Sequence, residues 1–207
     1  MATLEYEVAP LFAEPYFRTN ISDAISKEQI EFIKNLEMVP NQQNKISENL
    51  YIFEEPELAS IKKAVQEALD IYASEVMGIP QKIVPTQSWA LTNEPGVGMH
   101  GHSHSNSVVS GSLYFCELPQ PVAKMIFDRH RSYQQLQLDP THDKQNIFNA
   151  RMNVVTPKKG DLVLFSSGLQ HFVEPNQSKQ TRYSIAFNTF VRGRLGDYRD
   201  VSELFIS

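Results

Sequence analysis

The 207-residue chain holds a single cysteine, Cys116. No intramolecular disulfide can form, and a reducing cytosol is the expected setting. Nowhere are there the ~18 consecutive apolar residues of a membrane helix. The opening MATLEYEVAP has Glu5 and Glu7 and no basic start, so no secretory leader is expected. Lys and Arg number 19 against 24 Asp and Glu, giving a net charge of −5 without any basic run. Nucleic acid is therefore not an expected partner, and an anionic ligand would need a local cation. Internal repeats and low-complexity tracts are lacking too. Hydrophobic residues at 41% and charged residues at 21% exclude general disorder, and the length suits one domain over 1–207.

What is present divides into two regions. Residues 1–80 read as a helical support. Ile30, Ile33 and Leu36 recur at helical spacing behind Ser26, a suitable N-cap. Pro56 suits a first helical position, and Leu58, Ile61, Val65, Leu69, Tyr72 and Val76 form one stripe that Gly78 and Pro80 end. From 81 onward the pattern is β. Runs rich in Val, Ile, Phe and Tyr occupy 83–92, 108–116, 124–127, 152–156, 161–165 and 183–191. With no long helix between them, they predict a mainly β fold with N-terminal helices, an antiparallel sandwich or jelly roll. The polar stretch 129–150 interrupts the rhythm and is a candidate lid, its His130 and His142 facing solvent.

Three of the six histidines, His100, His102 and His104, alternate in Met99-His100-Gly101-His102-Ser103-His104. In a strand, residues i and i+2 point the same way ~6–7 Å apart, so two such imidazoles can reach one ion. His171, just after an apolar run, can supply a third ligand. On spacing alone the pair can be His100 and His102 or His102 and His104, and a solvated, metal-free cluster fits equally. Asp128 is an alternative carboxylate ligand. In 182–188, Tyr183, Ile185 and Phe187 face one way and Arg182, Ser184, Ala186 and Asn188 the other. Arg182 and Ser184 on an inward face would form an anion clamp; an Arg stem covering apolar surface is the plainer alternative.

Taken together these features resemble the Fe(II)/2-oxoglutarate-dependent dioxygenases, and more narrowly a prolyl-hydroxylase-like 2OG-Fe(II) oxygenase family of bacteria and their viruses. The resemblance is carried by Leu11-Phe12 with Pro15, Glu57-Leu58 before Ile61-Lys62, Trp89, His102-Ser103-His104, Ser110-Gly111-Ser112-Leu113-Tyr114, and the segments 165–176 and 182–188. It implies a double-stranded β-helix, the cupin-like jelly roll. It further implies Fe(II) held by His102, His104 and His171. 2-Oxoglutarate would be held by Arg182 and Ser184 with Tyr114, O₂ would be co-substrate, and an unknown peptidyl or small-molecule substrate would be hydroxylated with release of succinate and CO₂. His104 stands where the wider superfamily has Asp or Glu, although the narrower family has His there too; Ser105 and Ser166 replace prolines of the narrower pattern. A cupin-type metal protein fits Gly96–His104 but not Arg182, and a non-catalytic β-sandwich binding module is the second alternative. The oligomeric state is open, a homodimer included.

Overall fold

The computed structural model describes residues 5–129 and 140–207. Twelve strands make two facing sheets: β1 (Tyr16–Asn20), β2 (Met38–Pro40), β3 (Lys45–Ser47), β4 (Lys82–Asn93), β5 (Met99–His102), β6 (Val109–Leu113), β7 (Met125–Asp128), β8 (Met152–Val155), β9 (Asp161–Ser166), β10 (Gln170–Val173), β11 (Arg182–Leu195) and β12 (Leu204–Ile206). The major sheet runs β1-β9-β6-β11-β4-β3-β2, with β12 on the far end of β11; the minor sheet runs β5-β10-β7-β8. Every paired ladder between them is antiparallel. This is the expected double-stranded β-helix, and all the expected strands are present.

The first eighty residues are less purely helical than expected, since β1, β2 and β3 lie there. Their sequences, YFRTN, MVP and KIS, are too short and mixed to show alternation. β1 belongs to the sheet through partners 140 residues away: Asp161 is buried and accepts from the Arg18 guanidinium and, at 3.2 Å, from the Asn20 amide.

Two helices pack on the outer face of the major sheet. Helix α1 (Lys27–Lys34) begins with a capping box: Gln29 N–H donates to Ser26 Oγ at 3.2 Å, and Ser26 N–H donates to Gln29 Oε1 at 2.9 Å. The Gln29 amide also donates to the Glu57 carbonyl at 2.7 Å, tying α1 to the approach of α2 (Ala59–Ile71). Pro56 opens a tight 3-10 turn into α2, and the chain continues through a π-helical turn to Gly78, whose φ of 64° stops it. Leu58, Ile61, Val65, Leu69 and Tyr72 are buried as the stripe predicts; Val76 is exposed, so the packed face ends one turn early.

Strand alternation builds two cores. Along β9, Leu162 and Leu164 join the helix-to-sheet core with Ile61, Ile185 and Phe187, while Val163 and Phe165 point between the sheets with Tyr114, Met125, Phe127 and Val155. β9 is covered on both faces, which explains its unbroken apolar run. The expected lid lies partly outside the described residues, as does His130. Its described part carries an exposed 3-10 turn, His142–Lys144, and Arg129 donates to the Phe148 and Ile147 carbonyls at 3.0 and 2.8 Å. Among the described residues no helix is long and apolar enough to cross a membrane.

Candidate metal and anion site

The minor sheet places two histidines. β5 and β10 run antiparallel with His102 opposite His171, and their ring centroids stand 4.4 Å apart. His104 arrives differently from the strand alternation expected of it. β5 ends at His102, and the chain turns, so His104 enters from a loop whose backbone N–H donates to the Ser167 carbonyl at 2.9 Å. Its ring comes within 5.0 Å of His102 and 5.2 Å of His171. One ligand nitrogen from each of the three lies within 4.8 Å of the others. His100 neighbours His102 at 5.4 Å but stands outside this cluster. Asp128 does as well: it ends β7 opposite Gln170 and faces the Arg151 guanidinium at 3.6 Å.

Hydrogen bonds orient these rings. His102 Nδ1 meets the His100 carbonyl at 2.8 Å, and His171 Nδ1 meets the Leu169 carbonyl at 3.0 Å. A carbonyl only accepts, so each Nδ1 carries the proton and each Nε2 keeps a free lone pair. Phe165 lies edge-on to His171 at 4.6 Å, fixing that ring from the core side. Burial pushes the His104 pKa down to about 4 and the His171 pKa down to about 3, and lowers that of His102. All three are neutral imidazoles at neutral pH, the form that ligates a metal.

A buried hydroxyl chain that the sequence did not flag ties the two ligand-bearing loops together. Ser167 Oγ donates to Ser107 Oγ at 2.7 Å and pairs with Ser110 Oγ at 2.8 Å; Ser110 Oγ donates to Asn188 Oδ1 at 2.9 Å. Bonded partners in this hydroxyl chain are up to 78 positions apart, so no local pattern marks them.

The major sheet supplies a cation. Arg182 begins β11 opposite Asn93 and is only 3% exposed. Its Nη1 donates to Asn93 Oδ1 and Ser184 Oγ, both at a long 3.3 Å, and its guanidinium lies 5.2 Å from the centre of the Tyr114 ring. Nε is buried with no acceptor, and among the described residues no carboxylate pairs with this guanidinium. Burial lowers its pKa from the usual arginine value. Tyr114 is fully buried beneath it, its hydroxyl directed at Met125 Sδ at 3.8 Å, and burial raises its pKa. One cavity of about 280 Å³ is lined by the three histidines, Arg182 and Ser184. Its outer wall is formed by Gln87, Trp89 and Leu91 of β4 with Asn41 and Asn44 from the β2–β3 turn. The alternation of β4 could have shown that Gln87, Trp89, Leu91 and Asn93 share a face; the contribution of Asn44 is purely tertiary.

Residues 87–188 match the family described as "Putative 2OG-Fe(II) oxygenase". This stretch belongs to the 2OG-Fe(II) oxygenases. The match runs from Gln87 to Asn188 and encloses the three histidines, Tyr114, Arg182 and Ser184, while Asn41 and Asn44 lie before it. Solved structures share the fold of this oxygenase. They include a prolyl-4-hydroxylase from Pseudomonas putida, 16% identical over 87% of this chain and 94% of that one with a TM-score of 0.61. A 2OG-Fe(II) oxygenase family oxidoreductase from Burkholderia pseudomallei is 9% identical over 84% and 83% of the two chains, TM-score 0.58. HygX from Streptomyces hygroscopicus, solved with nickel and 2-oxoglutarate, is 11% identical over 85% and 82%, TM-score 0.57. No curated protein matches the oxygenase in sequence.

Proposed function

We propose that this oxygenase is an Fe(II)- and 2-oxoglutarate-dependent dioxygenase that hydroxylates its substrate, with His102, His104 and His171 as metal ligands and Arg182, assisted by Ser184, as the seat of the distal carboxylate of 2-oxoglutarate. The observation that carries this reading is the uncompensated Arg182. A buried guanidinium without a counter-ion is costly, and here it opens onto the same cavity as three neutral imidazoles. Neutral donors leave a bound divalent ion with its full charge. A dianionic ligand spanning the cavity would set one carboxylate on the metal and the other on Arg182, offsetting two of the three positive charges. A cupin-type site gives no use for Arg182.

When bound, the metal would supply the oxygen activation that couples 2-oxoglutarate decarboxylation to substrate oxidation. The protein's part is to hold the three ligand nitrogens in place, fix one end of the co-substrate and shield the cavity. Tyr114 acts from beneath, its ring set against the guanidinium and its hydroxyl turned toward Met125. The 129–150 segment is our candidate for the part that closes over substrate.

The test is calorimetric titration of purified protein with Fe(II) without oxygen, then with 2-oxoglutarate, followed by succinate release in air. His171→Ala is expected to abolish metal binding and succinate formation. Unchanged iron affinity in that variant would remove His171 from the ligand set.

A further inference from the structure

The outer wall of the cavity carries hydrogen-bonding groups that the proposed cofactors do not use. Asn44 is 6% exposed. Its Oδ1 accepts from Asn41 Nδ2 at 3.1 Å, and its NH₂ group has no partner among the described residues. Gln87 and the Trp89 indole N–H, both half-buried on the cavity face of β4, likewise find no partner there. These groups face the cavity rather than being sealed in the core, so a bound molecule offering acceptors could pair with their N–H donors. Leu91 and Ile46 supply apolar surface between them, and the Trp89 ring lies 6.4 Å from that of His104.

The charges of this cavity are as informative. Among the described residues no Asp, Glu or Lys lines it, and Arg182 is the one permanent cation. A cationic substrate group would be buried without a carboxylate, and a second anion would have to compete for Arg182. Either arrangement strands a charge at a cost of several kcal/mol.

We propose that the wall formed by Asn44, Gln87 and Trp89 is the substrate subsite, and that it takes an uncharged group presenting hydrogen-bond acceptors of the amide-carbonyl kind against a flat apolar surface. This rests on the assignment of Arg182 to 2-oxoglutarate. Asn44 and Gln87 are then specificity-determining: they exclude charge and read acceptors.

Trp89 is the only tryptophan of the chain, so its emission reports both halves of the cavity. Zinc-loaded protein would be titrated first with 2-oxoglutarate, then with the N-acetyl methylamides of glutamine, lysine and glutamate. The glutamine probe is expected to bind at least tenfold more tightly than either charged probe. In Asn44→Asp the lysine probe should draw level with it or overtake it; Gln87→Glu serves the same purpose should Asn44→Asp fail to fold. Three outcomes overturn the proposal: no binding of the glutamine probe, a charged probe binding the parent equally well, or an unchanged ranking in the folded acidic variant. If 2-oxoglutarate itself fails to bind, the assignment of Arg182 has failed; if it binds and the probes do not discriminate, the subsite alone has failed.

Discussion

Replacing Arg182 by Met should separate ligand binding from folding. Methionine fills much of the volume of the arginine stem and carries no charge. In the ligand-free protein, Asn93 Oδ1 and Ser184 Oγ each lose a long 3.3 Å bond, worth below about 1 kcal/mol. Against this, the desolvation of an uncompensated guanidinium disappears. The ligand-free melting temperature should thus hold or rise. Ligand binding moves the other way. Charge-assisted hydrogen bonds contribute about 1.5–3 kcal/mol each, so a lost pair should weaken 2-oxoglutarate roughly 100-fold or more. At a concentration ~100 times its Kd, the co-substrate stabilises the parent by about 2.7 kcal/mol, or ~5–10 °C for a chain of this size. At that same concentration the variant should gain only ~1 °C. Differential scanning fluorimetry of zinc-loaded protein reads both numbers. A variant that keeps the parent's full shift, or one that melts more than ~10 °C lower without ligand, would refute the reasoning and make Arg182 a support of the fold.

The histidines predict an acid limb. His104 and His171 are held at about 4 and about 3, below the usual 6.5, so between those values the unfolded chain binds more protons than the folded one. Stability of the metal-free protein should be level above pH 6.5 and fall as pH drops toward 3; urea unfolding at pH 7.5 and 5 checks this, and a flat profile contradicts it. Ser167→Ala keeps the carbonyl that holds the His104 N–H but removes a buried hydroxyl from between Ser107 and Ser110, so it should lower the melting temperature by a few degrees and weaken Co(II) about tenfold, with an altered visible spectrum. Ser167→Thr, which keeps the hydroxyl, should recover the affinity if the cavity accepts its methyl. Asp161→Ala should cost about 2–4 kcal/mol in urea unfolding, since it leaves Arg18 and the Lys158 N–H, now bonded at 2.8 Å, without their acceptor.

The parts of this protein that were legible in its sequence are those set by local periodicity. β4, β9 and β11 have long apolar or alternating runs, and the inward face of β11 could be assigned by alternation alone. β5 and β10 are only four residues each and carry MHGH and QHFV, whose His102 and His171 face the cavity. The ligand histidines were visible as a motif, yet the expected geometry of a shared strand face was incorrect for His104, because a loop pinned to Ser167 delivers it. Nothing in the chain order reveals that Arg182 lacks a carboxylate, that Ser107 meets Ser167, or that Asn44 reaches the wall of β4. Such contacts join residues tens of positions apart and obey no period.

The two halves of the cavity sit on different layers. His102 and His171 belong to the minor sheet, Arg182 and Ser184 to the major one, and between them lie Phe127, Phe165, Met125 and Tyr114. A metal-bound co-substrate reaching Arg182 would act as a rivet through the sandwich, making the small four-stranded layer open only together with the large one. Amide exchange in β5 and β10 would then slow to the pace of global unfolding when the site is filled. Conversely, a trimmed Phe127 or Phe165 would alter the span that the rivet must bridge without touching either of its ends.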